Sequence, residues 1–245
     1  MLAFIVQARL GSTRFPNKVR KIIYEDKTVL DLCLENLKPL GYKIIVATTA
    51  NPKDNEIIEI AERNMADWFR GSEENVLERY VLCAEEFGVS QIIRITSDNI
   101  FVQSQLIKKI IDAIKPNLDY ISYMIGNKNV VLTHWGLFGE YVTLNALKKV
   151  LTLNPSIKSR EHVTYHIYTH QKSFNVKYLP VPSELNRTDI RLTIDTIGDY
   201  KICKQIYGDL RKKKVEPTYI NIIEYLDQNP AILSKMDINI KEISK

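Results

Sequence analysis

Short, almost wholly apolar runs alternate with helix-periodic segments through the first half of the chain, and this rhythm restricts the fold more than any other feature. Leu2–Gln7 is nearly all apolar, as a strand buried on both faces requires. Residues 29–38 carry Leu30, Cys33, Leu34 and Leu37 at helical spacing and are stopped by Pro39 and Gly41. Residues 43–48 (KIIVAT) predict a second buried strand, Asn51 and Pro52 a turn, and residues 54–65 a helix with Ile57, Ile58, Ala61 and Met65 on one face. A short strand is expected over 67–69. A helix to Phe87 follows, with Ser72 as its N-cap and Glu73 and Glu74 in its first turn, where the dipole favours acids. Strands are expected at 91–96 (QIIRIT) and 118–123, separated by a helix over 103–114. Strands and helices joined by short links predict parallel strands with right-handed crossovers, hence a doubly wound α/β sheet. The ligand crevice of such a sheet lies beyond the carboxyl ends of its strands. The loops over 8–18, 48–54, 70–75 and 97–101 should therefore face one cleft.

The rhythm changes beyond Tyr123. Residues 126–135 look irregular, 140–151 and 159–169 helical, and 174–179 and 189–194 like further strands. Helices over about 197–210 and 218–228 close the chain. With no repeat, low-complexity stretch or Gly/Ser linker, residues 1–245 are expected to form one domain with an inserted, substrate-facing region.

A chain of 245 residues is long enough to bury a substantial core. Its net charge of +5 is too small to argue for nucleic acid, and the run Arg211 to Lys214 reads as a solvated helix end. Cys33, Cys83 and Cys203 are odd in number and far apart, which suggests buried thiols in a reducing compartment. No apolar run approaches the roughly 20 residues of a membrane helix, and Met1 leads directly into a strand. The expected location is the cytoplasm.

The chemistry gathers where the first strand ends. In IVQARLGSTRFPNK an apolar strand opens into a loop with Gly11, the hydroxyls of Ser12 and Thr13, and the cations Arg9, Arg14 and Lys18. A loop of this kind at a strand's carboxyl end can hold a polyphosphate, although it is neither a Walker A nor a GxGxxG sequence. A solvated basic turn has the same composition. Asp98 and Asp195 follow the strand-like RIT and RLTI, so both can point into the same crevice. Magnesium needs only one or two carboxylates when water and phosphate oxygens complete its octahedron. Either Asp alone reads equally well as a turn or helix cap.

Other constellations are weaker. His162, His166 and His170 repeat at i, i+4, but there is no HExxH and no nearby Cys, so packing or substrate contact is favoured over zinc. Ser12 and Ser72 lack a nucleophile-elbow GxSxG, and Cys83 reads as core.

The motifs together resemble one family. QARLGSTRFPNK resembles the opening signature QARxGSTRxPxK of the cytidylyltransferases named after spore coat polysaccharide biosynthesis protein F, relatives of the CMP-sugar synthetases. VATT, FRGSEENVLERY, RITSD, REHVT and RLTIDTIGDY follow in the family's order and cover most of the chain. The resemblance implies a three-layer αβα sandwich of the nucleotide-diphospho-sugar transferase (GT-A-like) type, with a mostly parallel mixed sheet. It implies that CTP is held by Gln7, Ala8, Arg9, Gly11, Ser12, Thr13, Arg14 and Lys18, with Thr48, Thr49, Arg70, Gly71, Ser72 and Thr96 around base and ribose. It implies that Arg14, Lys18, Asp98 and Asp195 carry the catalysis, the two Asp residues holding Mg2+. It further implies homodimers formed through the inserted region at about 126–178, and a sugar-like acceptor near Glu140, Arg160 and His162.

Two departures stand out. The family usually has Gly-Asp-Cys-Pro where this chain has Ser97-Asp98-Asn99-Ile100, and a Pro/Gly segment leading to Glu-Val-Phe where this chain has HWGLFGEYVTL. An inactive nucleotide-binding protein, or a glycosyltransferase using a preformed nucleotide-sugar, keeps the same fold. The missing GxGxxG disfavours a dehydrogenase.

Overall fold

The computed structural model describes residues 1–242. Its strands are β1 (Leu2–Gln7), β2 (Ile22–Tyr24), β3 (Lys27–Thr28), β4 (Lys43–Thr49), β5 (Asp67–Gly71), β6 (Gln91–Thr96), β7 (Tyr120–Ile125), β8 (Lys128–Asn129), β9 (Glu140–Thr143) and β10 (Val176–Pro180). Its α-helices are α1 (Val29–Glu35), α2 (Asn55–Arg63), α3 (Val76–Glu86), α4 (Ser104–Asp112), α5 (Leu144–Thr152), α6 (Ile157–Glu161), α7 (Tyr165–Thr169), α8 (Ile197–Lys212), α9 (Tyr219–Asp227) and α10 (Pro230–Glu242).

The main sheet runs β10-β7-β9-β6-β1-β4-β5, with β8 paired to β7. β6, β1, β4 and β5 are mutually parallel, as is the pair β7–β10, whereas β9 lies antiparallel between β6 and β7. β2 and β3 form a separate antiparallel hairpin.

Strand side chains alternate between two helical layers, which is why the parallel strands are apolar on both sides. Phe4, Val6, Val46, Ile93, Ile95 and Ile121 pack with residues of α1, α2, α4, α8, α9 and α10. Ala3, Ile5, Ile45, Ala47, Ile92, Tyr120 and Val142 pack with α3, α5 and α7 on the other face. The αβα sandwich with a mixed, mostly parallel sheet is therefore present. No helix among the described residues is long and apolar enough to cross a membrane.

Several expectations need correction. The helix expected from Ser72 starts at Val76 and is capped by Asn75, whose side chain accepts from the Glu78 N–H. Residues 140–143 are strand rather than helix, because β9 fills the space between β6 and β7 before Thr143 caps α5. The single helix expected over 159–169 is two short ones, broken where His162 leaves helical geometry. Residues 189–194 form no strand: Ile190, Leu192 and Ile194 are buried as expected, but their segment bonds to loops. The Leu192 and Thr193 N–H groups donate to the His134 carbonyl, and the Ile194 N–H donates to that of Asp98. Met65 lies beyond the end of α2 with φ 59°, 88% exposed, instead of on its buried face.

Candidate active site

The loop after β1 is shaped by one buried carboxylate. Asp54 accepts the Leu10 N–H at 2.8 Å and the Thr49 hydroxyl, tying the loop to the end of β4. The N–H groups of Ser12 and Asn17 then both donate to the Leu10 carbonyl, at 2.8 and 3.0 Å, and fold the segment back on itself. Asn17 takes a left-handed conformation (φ 60°) that starts the 3-10 turn Lys18–Arg20. A Cβ on Gly11 would meet only a Glu73 carboxylate oxygen, at 3.2 Å, so the folded chain itself asks little of a glycine there.

This folding delivers Lys18 to the two acids at the sheet's carboxyl end. Its Nζ lies 2.7 Å from Asp98 Oδ2, 3.4 Å from Asp195 Oδ1 and 2.7 Å from the Ile194 carbonyl oxygen. Arg14 Nη2 reaches Asp195 Oδ1 at 3.2 Å. Burial alone would favour the neutral amine, but Asp98 and Asp195 outweigh it and hold the Lys18 pKa above its usual value. Three hard oxygen donors thus converge on one point already occupied by a cation. That donor set fits a magnesium-type ion, for which two carboxylates suffice when a nucleotide's phosphates and water add the rest. Among the described residues no group of three or more His, Cys, Asp or Glu side chains is placed to hold a metal, so such an ion would depend on its substrate for ligands.

Asp195 is held by a network that sequence reasoning missed. Arg191 is fully buried and donates through Nε and Nη2 to Asp199 at 2.7 and 2.9 Å, and through Nη2 to Asp195 Oδ2 at 3.1 Å. Asp199 also accepts the backbone N–H groups of Asp195 and Thr196, at 3.0 and 2.9 Å. With Thr196 it forms the capping box that starts α8. Burial would raise the Asp199 pKa, but Arg191 and these N–H groups hold it below the usual carboxylate value. The signal was present in RLTIDTIGD: a Thr-x-x-Asp capping box, with Arg191 and Asp195 four residues apart.

The loop and both acids open onto a cavity of about 580 Å3, within the range of about 300–1,000 Å3 usual for small-molecule sites. Gln7, Ala8, Arg9, Ser12, Thr13, Arg14, Lys18 and Thr96 line it with Asp98, Asp195, Glu140 and His162. The expected residues are not all together. Thr48, Thr49, Arg70, Gly71 and Ser72 stand outside this wall, at the ends of β4 and β5. There Arg70 bonds Asn55 and the Ser72 hydroxyl accepts from the Asn75 N–H at 3.0 Å. Arg160 also lies outside the wall, donating to the Pro155 carbonyl at 3.1 Å and to Asn154 at 3.0 Å. Glu140 faces the cavity, but its carboxylate is engaged by Arg94, the Tyr120 hydroxyl and the Thr164 hydroxyl. Asn99 and Thr193, which sequence reasoning did not select, join the wall with Asn99 Oδ1 and Thr193 Oγ1 buried and unpartnered.

A mostly parallel α/β sheet with a cationic loop and two acids meeting at its carboxyl edge defines the class of fold and the candidate site. The cytidylyltransferase family matches residues 3–238, and the chain belongs to that family. It is 38% identical over 245 residues to the uncharacterized protein MJ1063 of Methanocaldococcus jannaschii, covering 98% of this chain and 96% of that one. It is 31% identical over 237 residues to spore coat polysaccharide biosynthesis protein SpsF of Bacillus subtilis, covering 94% and 95%. A solved cytidylyltransferase from Leptospira borgpetersenii superposes with a TM-score of 0.82 at 27% identity, covering 95% of this chain and 96% of that one.

Proposed function

We propose that the protein transfers a cytidylyl group from CTP to an oxygen of a small sugar-like acceptor and releases pyrophosphate. The observation that carries this reading is the meeting of Arg14 and Lys18 with Asp98 and Asp195 in one crevice. Family membership and the likeness to a spore coat polysaccharide protein support it, the latter suggesting a role in surface glycoconjugates.

In this reaction a bond forms between the acceptor oxygen and the α-phosphorus. The bond from that phosphorus to the bridging oxygen breaks, and pyrophosphate carries away the electron pair. The work is positioning and charge stabilisation. Magnesium held by Asp98 and Asp195 would supply positive charge at the α-phosphate and make the attacking hydroxyl more acidic. The backbone of the loop and the hydroxyls of Ser12 and Thr13 orient the phosphate chain, and Arg14 neutralises the departing pyrophosphate. Lys18 balances the acid pair in the ligand-free protein and would pair with phosphate oxygens if Asp98 and Asp195 held a divalent cation. The attacking proton goes to bulk water or to a phosphate oxygen, with no side-chain base required. His162 lies on the cavity wall where an acceptor would bind, whereas Arg160 would have to leave Asn154 and Pro155 to take part. We assign the protein to the cytoplasm as a homodimer joined through the region 126–178. The exposed Leu153 and Ile157 at the α5–α6 corner support that contact, and a monomer in sedimentation would remove it.

The test is a thermal-shift panel of the four nucleoside triphosphates with and without magnesium, followed by pyrophosphate release with sugar acids and sugar phosphates. Selective, magnesium-dependent stabilisation by CTP is expected. Equal stabilisation by all four would sink the cytidylyl assignment, and stabilisation without turnover on any acceptor would favour a binding protein.

A further inference from the structure

The cavity wall also carries a cation that the preceding account does not use. Arg79, on α3, is 1% exposed and borders the cavity. Its Nη1 donates to the Ser72 carbonyl at 2.7 Å, its Nε is buried without a partner, and among the described residues no carboxylate lies within ion-pairing distance. The other buried arginines differ: Arg191 is matched by Asp199 and Arg94 by Glu140. Gly71 makes room for this side chain, since a Cβ there would come within 2.9 Å of Arg79 Cγ. The field of Arg9 disfavours the Arg79 cation further and those of Asp54 and Glu73 partly offset it, while Arg9 itself makes no hydrogen bond or ion pair among the described residues. Burial lowers the Arg79 pKa, yet a guanidinium starts so high that it stays charged. Buried Arg79, whose charge is only partly offset, and half-buried Arg9 line one cavity, where both can hold an anion that sits between them.

We propose that Arg79 and Arg9 form a two-arginine seat for the phosphate tail of the nucleoside triphosphate, the part that leaves as pyrophosphate. This rests on the triphosphate reading of the site and extends it to a residue on a different element. Arg9 belongs to the loop that also carries Ser12 and Thr13, and Arg79 faces it from α3 with its Nε edge uncommitted. A fork of two N–H groups matches a phosphate's oxygens, which a neutral base edge cannot replace in charge.

The test measures binding of inorganic pyrophosphate, CTP, CMP and cytidine to wild type, Arg79→Met and Arg79→Lys by calorimetric titration in metal-free buffer, with ligand-free melting temperatures alongside. Arg79→Met is expected to melt at or above wild type, because an unpaired buried charge has gone, and to bind pyrophosphate and CTP about 10- to 100-fold more weakly. CMP and cytidine should bind both variants as they bind wild type. Arg79→Lys keeps a charge but loses the fork, and should fall between the two for pyrophosphate. Pyrophosphate affinity unchanged in Arg79→Lys would overturn the proposal, even if Arg79→Met failed to fold. Loss of cytidine affinity with pyrophosphate binding intact would assign Arg79 to the base instead and overturn it equally. Failure of the cytidylyl reading would appear separately, as wild type binding all four triphosphates alike, because pyrophosphate carries no base.

Discussion

Asp98 and Asp195 sit nearly a hundred residues apart, yet both lie within reach of one ammonium group, Lys18 Nζ, at 2.7 and 3.4 Å. Their position at strand ends could be read from RIT-Ser-Asp and RLTI-Asp, since ligands gather at the carboxyl edge of an open sheet. Their shared cation could not, because it depends on how the loop over 8–18 folds back on Leu10. If both acids stabilise charge in the transition state, Asp98→Asn and Asp195→Asn should each lower turnover by about 100-fold or more, with the fold intact. Pyrophosphate release near the wild-type rate in both variants would remove them from the chemistry. Arg79 marks the limit of residue-level reading: in VLERY it looks like a solvated helix cation, and only packing against Gly71 and Ser72 makes it a buried one.

At the scale of elements, the structure moves the cap expected at Ser72 to Asn75 and divides the helix expected over 159–169. Thr28 and Asp31 form a capping box at α1, and Asp31 also takes a two-pronged contact from Arg63 and a bond from Asn64 at 2.6 Å. Burial would raise the Asp31 pKa, but these donors bring it down to about 2 from 3.8. A depressed carboxylate contributes stability above its unfolded pKa and loses it as pH falls through the folded one. Asp31→Asn should therefore cost about 1–2 kcal/mol at neutral pH, with the gap from wild type closing between about pH 4 and pH 2. Urea unfolding across that range checks it, and a gap that did not shrink in acid would show that the charge is not what matters. The segment 189–194 taught the opposite lesson. Its alternation of Ile190, Leu192 and Ile194 satisfied a strand pattern, but periodicity reports which side chains are buried and not where the backbone N–H groups find acceptors.

At the scale of the whole molecule, Glu140 joins the two halves of the sheet. It stands on β9, pairs with Arg94 on β6, and accepts from Tyr120 on β7 and from Thr164 before α7. Removing the acid would strand Arg94 as an uncompensated buried charge. Glu140→Leu should accordingly lose about 3–5 kcal/mol, and adding Arg94→Met should restore most of it. Denaturant midpoints decide this: a double variant no more stable than the single one would mean that the charge pair is not the source. A role for Glu140 in acceptor binding would require it to give up these partners.

The sequence by itself determined the class of fold, the parallel core strands and the loop that gathers cations at the end of β1. Each of these rests on local periodicity or on residues adjacent in the chain. Tertiary structure alone decided that β9 inserts antiparallel between β6 and β7, and that Asp54 sets the loop's shape. It also decided that Arg191 and Asp199 aim Asp195, and that Arg79 is buried beside the cavity that Arg9 lines, without an ion-pair partner among the described residues. These are partnerships between distant residues, and their energies come from burial, hydrogen bonding and charge in places that exist only once the sheet has assembled.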